Sequence, residues 1–180
     1  MLVDTLLTVR HRSEALIAPL EPEDLMLQGM ADASPPKWHL GHTTWFFDTF
    51  VLQPNAQAHQ ACNPLWSYQF NSYYEAVGAR HPRPQRGLLS RPAIRDVLAW
   101  RQRVDEGLEG LLKSPTSEIT GLMELGLHHE QQHQELLLMD LLDGCHRQPV
   151  EPTYHPDAEL TIQVGPEQWL PCAGGLTEIG

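Results

Sequence analysis

The stretch Leu125–Gly144, LGLHHEQQHQELLLMDLLDG, decides how the rest of the chain is read. His129 and His133 stand four residues apart, so on a helix they share one face, one turn above the other. Two imidazoles placed this way can hold one metal ion. The apolar run LLLMDLL that follows supplies side chains to bury that face. His128, next to His129, projects about 100° away and is a poor partner for the pair.

Working outward, this helix is expected to start at Ser114-Pro115 and to end at Gly144, read as a C-terminal glycine. Pro92 opens the helix before it, which carries Ile94, Val97, Leu98, Trp100, Val104, Leu108, Leu111 and Leu112. Ser34 and Pro35 make a second start signal, serine as the cap and proline at the first helical position. From there WHLGHTTWFFDTFVL runs unbroken to Gln53-Pro54, apolar nearly all round, so it should be buried on most sides, with Gly41 allowing a close approach. Residues 2–17 give a first amphipathic helix, and PLEPEDLMLQGMADASPP reads as a connection. Residues 54–90 have no sustained period. Their aromatics (Trp66, Tyr68, Phe70, Tyr73, Tyr74) predict an ordered loop wrapped over one end of the helices. The fold class expected is all-α: a four-helix bundle with one long crossover loop.

Past Gly144 the character changes. HRQPVEPTYHPD is a proline-rich linker, ELTIQV alternates like a strand, and WLPCAGGLTEIG resembles the opening of a hairpin. The division expected is a bundle over 1–145, a linker over 146–158, and a short C-terminal β segment over 159–180. Two or three short strands do not make a stable domain alone, so this segment is expected to open a larger one.

A chain of 180 residues suffices for one domain with a real core. Its formal net charge of -11 argues against a nucleic-acid partner, and no apolar run is long enough to predict a membrane span. The N-terminus lacks the pattern of a secretory signal. Three cysteines (Cys62, Cys145, Cys172), few and odd in number, point to a reducing cytoplasm rather than a disulfide framework. Seven of the ten arginines fall between Arg80 and Arg103, and there are ten histidines. A metal together with a small anionic ligand is the expectation.

A functional ion needs a third ligand. His39 and His42 lie three apart on the second helix and point in neighbouring directions; either would complete a three-histidine face across two helices. Burying three imidazoles without a shared partner would leave several polar groups unsatisfied. The same letters, His129-Glu130-Gln131-Gln132-His133, also spell the HExxH pattern of zinc metalloproteases, in which Glu130 would activate water. That alternative needs Glu151 or His155 as its third ligand. It explains neither the histidines of the second helix nor the arginines.

Three blocks, SPPKWHLGHTTWFFDTFVL, FNSYYEAVGARHPRPQRGLLSRP and LGLHHEQQHQELLLMD, closely resemble the N-terminal domain of the sulfoxide synthases of ergothioneine biosynthesis, the EgtB family. That domain is one of the DinB-like metal-binding helical bundles, and the likeness covers roughly residues 1–160. The tail resembles the first strands of the family's second, formylglycine-generating-enzyme-like domain.

The resemblance implies non-haem Fe(II) held by His42, His129 and His133, with His39 in a supporting or structural role. It implies that Gln132 contacts the imidazole of Nα-trimethylhistidine. Arg83 and Arg86 would bind the carboxylate of a thiol, either cysteine or γ-glutamylcysteine. The reaction implied joins thiol and imidazole with O2. Three imidazoles on one face of a six-coordinate iron leave three positions for such a ternary assembly, and arginine forks suit carboxylates. In the family the second domain supplies the catalytic tyrosine, so residues 1–180 alone are expected to bind metal without turning over. A zinc-dependent thiol transferase of the DinB-like class is the alternative.

Overall fold

The computed structural model describes residues 2–155, 165–171, 173–176 and 178. Leu6, Val9 and Leu16 repeat at helical spacing and are buried on one face of α1 (Leu2–Ile17), within the bounds the periodicity predicts. Five further helices follow: α2 (Pro36–Phe46), α3 (Gln53–Asn55), α4 (Pro64–Phe70), α5 (Ile94–Leu111) and α6 (Ser117–His146). A π-helical turn, Phe47–Leu52, joins α2 to α3. Helix α2 packs against α5 and α6, and α1 packs against α6. Trp38, Trp45, Phe47, Trp100, Met123 and Leu137 meet in the common core. Each such side chain contributes about 2 kcal/mol through apolar burial.

Local chemistry moves several boundaries. Ser34 does not cap α2: Pro35 takes the cap position and Pro36 the first helical one. The Ser34 hydroxyl instead accepts from Arg86 at 2.9 Å. Ser114 belongs to the closing turn of α5, through its N–H to the Leu111 carbonyl at 3.4 Å. Thr116 caps α6, its hydroxyl accepting from the Ile119 N–H at 3.2 Å. Gly144 does not end α6 either, since the helix runs to His146. A Cβ on Gly144 would lie 2.7 Å from the Leu27 side chain, so this glycine serves a close approach. Gly41 does the same for the Phe70 ring.

The π turn in the second helix is also absent from the sequence expectation. Asp48 within it is fully buried and accepts from Gln53 Nε2 at 2.8 Å, Trp100 Nε1 at 2.8 Å and His59 Nε2 at 3.1 Å. Residues 54–90, expected as an ordered loop, are not one loop. They contain α4 and two tighter turns, Glu75–Val77 and Arg83–Leu88. The alternating stretch 159–164 lies outside the described residues, and 165–171, 173–176 and 178 form no strand.

A buried ion network fixes the rotation of α6. The Glu130 carboxylate accepts from Arg10 at 2.9 Å, from Ser13 at 2.6 Å and from Arg101. Arg10 also pairs with Asp105 at 2.5 Å, and Arg101 with Glu14 at 3.2 Å. Glu130 therefore faces α1 and α5. The neighbouring turn of α6 is left to face α2.

Candidate metal centre

His42 comes from α2, and His129 and His133 from α6. One ring nitrogen from each falls in a group whose members all lie within 4.8 Å of one another. The Nε2 atoms of His42 and His129 are 3.2 Å apart. His42 donates through Nδ1 to the Phe70 carbonyl at 2.6 Å, which leaves Nε2 as a lone pair turned toward the group. His129 Nδ1 is buried with no hydrogen-bond partner among the described residues. A set of three imidazole nitrogens, one of them fixed by a backbone carbonyl and none competing with a carboxylate, fits a divalent first-row ion.

Burial sets the charge state. It pulls His129 down to about 4, against the pull of Glu130. Burial also lowers His42 and His133 well below the usual imidazole value, helped by repulsion among the histidines. All three rings are therefore neutral near pH 7, the form that ligates metal.

The group opens into a cavity of about 450 Å³ whose walls include Arg83, Arg86, Gln132 and Tyr74. The residues singled out in the sequence thus share one chamber. Arg86 is buried and stacks its guanidinium 3.4 Å over Trp38, which in turn stacks on His42 with ring centroids 4.7 Å apart. Its terminal nitrogens reach the hydroxyls of Ser34 and Ser72, at 2.9 and 3.2 Å. Burial, then repulsion from Arg83, lowers it to about 9. Arg83 donates to the Asp32 carbonyl at 3.2 Å and to the Tyr73 hydroxyl. Arg80 stays near this wall, donating to the Ser72 carbonyl at 2.7 Å, while the other four arginines of the cluster scatter: Arg91, Arg95 and Arg103 are exposed, and Arg101 sits in the ion network.

Nothing in this geometry supports a protease. Glu130 is buried among arginines, which override the cost of its burial and hold its carboxyl down at about 2. It faces away from the histidine group. His42, not Glu151 or His155, completes the group among the described residues. His128 is exposed and takes no part in the group.

The family model of the DinB superfamily matches residues 5–137. The chain belongs to the DinB superfamily. No curated protein matches it. The DinB match runs from α1 into α6 and includes His42, His129 and His133. It stops short of one residue that sequence reasoning also passed over. Asp140 lines the cavity and bonds His39 at 3.1 Å, while His39 reaches His133 at 2.9 Å. The signal was present: Asp140 lies seven residues after His133, two turns on along the same helical face. Among the described residues of this DinB chain, no helix is long and apolar enough to cross a membrane.

Proposed function

We propose that this DinB-superfamily domain is the iron-binding half of a sulfoxide synthase that joins a cysteine-containing thiol to Nα-trimethylhistidine with O2. One observation carries the proposal: the three-histidine group shares a single cavity with Arg83, Arg86 and Gln132. His42, His129 and His133 would hold Fe(II). When bound, ferrous iron supplies thiol coordination and one-electron chemistry toward oxygen.

The chain's own residues divide the remaining work. Arg86, bonded to neutral hydroxyls, offers a buried positive charge that a substrate carboxylate would balance. Arg83, at the same wall, supplies a second fork. Together they would fix the anionic end of the thiol and aim its sulfur at the histidines. Gln132, one residue before His133, would hydrogen-bond the imidazole of the second substrate. Trp38, stacked between Arg86 and His42, keeps the anion subsite and the histidines in fixed relation.

Spectroscopy of the anaerobic Fe(II) protein, with cysteine and then γ-glutamylcysteine added, tests this assignment. A change in the ligand field with at least one thiol is expected. No perturbation by either would overturn the proposal. Zinc at full occupancy after anaerobic purification, with thiol binding retained, would favour a zinc-dependent thiol transferase instead.

A further inference from the structure

Asp140 and His39 are not part of the three-nitrogen group, but His39 touches it and Asp140 touches His39. One carboxylate oxygen of Asp140 accepts from the Ser34 backbone N–H at 2.8 Å and lies 3.1 Å from His39 Nε2. On the other side of that ring, His39 Nδ1 lies 2.9 Å from Nδ1 of His133. His39 is buried, and its neutral ring carries one proton. A carboxylate only accepts, so that proton sits on Nε2 and Nδ1 presents a lone pair. His133 must then donate through Nδ1, which leaves its Nε2 as a lone pair for the centre.

From this chain of single-valued bonds we infer that Asp140 and His39 are positioning residues that lock His133 in the Nδ1–H tautomer, with Nε2 as the metal-donating atom. The inference rests on the metal reading given above. It also assigns a purpose to His39, which sits three residues before His42 and lies outside the group. Without the relay, His133 could equally place a proton on Nε2, where an ion has to sit. The anchor at Ser34 matters as well. It ties Asp140 of α6 to the start of α2, so the relay leaves α6, passes through α2 and returns to α6. His42 is oriented by the Phe70 carbonyl instead, whereas His129 Nδ1 has no partner among the described residues. Two of the three donors are therefore preset, by different means.

Long-range 1H–15N correlations of the imidazoles, recorded on the metal-free and zinc-loaded protein, read the tautomer directly. Zinc affinity by chelator competition gives a second readout. His133 is expected as Nδ1–H in both states of the unaltered protein. Asp140→Ala and His39→Leu should shift metal-free His133 toward Nε2–H and weaken zinc binding about 10- to 100-fold, the usual range for losing such a support. His128→Leu, an exposed histidine on the same helix, should change neither. Backbone spectra show whether each variant is folded, and the unaltered protein alone still decides the tautomer. An Nε2–H tautomer there, or variants that keep both tautomer and affinity, would overturn the relay. If the unaltered protein bound no zinc while its His133 was Nδ1–H, the metal reading would fall and the relay geometry would stand.

Discussion

His42 and His129, 87 residues apart in the chain, point their Nε2 atoms at each other across 3.2 Å. His42 has already spent its ring proton on the Phe70 carbonyl, so its lone pair faces the other ring. Such a pair is strained unless a proton or a cation stands between. Two imidazole lone pairs turned on one point are the donor type that a divalent first-row ion takes. The three nitrogens together could hold such a cation.

The Phe70 carbonyl orients His42, and the Phe70 ring lies against Gly41, where a Cβ would come within 2.3 Å of it. Gly41→Ala should therefore cost about 1–3 kcal/mol by overpacking. It should also weaken metal binding by disturbing the His42 Nδ1 bond. Urea unfolding and a metal titration on the same preparation would show both losses together.

Glu130 has a different office from that of a protease glutamate. Replacing it by Gln would take from Arg10 and Arg101 the carboxylate they share and leave each with one partner, Asp105 and Glu14, a loss of about 3 kcal/mol. Metal stoichiometry of the folded fraction should be unchanged. A stable E130Q protein would contradict the structural role given to this residue.

Acid should act in two windows. His39, His42, His129 and His133 are all lowered by burial in the folded state, His129 to about 4. The unfolded chain then binds more protons below about pH 6.5, so the metal-free protein loses stability as pH falls from there toward 4. Glu130, held at about 2 against an ordinary 4.5, adds a loss from about pH 4.5 down to 2. Thermal melts across pH should show the first decline in metal-free protein. A saturating metal should move it to lower pH, because the ion competes with protons for the same nitrogens.

Arg83 is only half buried, so Arg83→Ala should change stability within about 0.5 kcal/mol. Under the proposed function it should weaken thiol binding to the metal-loaded protein roughly 10-fold or more, the worth of one charge-assisted bond. Calorimetry with cysteine and with its decarboxylated analogue checks this. The analogue should bind the two proteins alike.

Much of the centre was legible because it is written at helical spacing. His129 and His133 share a face by periodicity alone, and the apolar ring of residues about Trp38–Phe47 announced a buried helix. The choice between His39 and His42 was not legible from spacing, since both lie on the inward side of α2. What separates them is the Phe70 carbonyl and the Asp140 carboxylate, groups brought in from elsewhere in the chain. Gly144 read as a stop signal because local rules cannot see Leu27 pressed against it. The π turn at Phe47–Leu52 was hidden for the same reason: of the three partners of Asp48, Trp100 lies on α5 and His59 beyond α3.

The central claim is that one ion sits among His42, His129 and His133. Anaerobic titration with Fe(II), followed by metal analysis of the desalted protein, tests it most directly. One ion per chain is expected, and Ala substitution of any one of the three should abolish retention, while His128→Ala should not. A preparation that retains no ion, or one in which His42→Ala still holds a full equivalent, would contradict the claim.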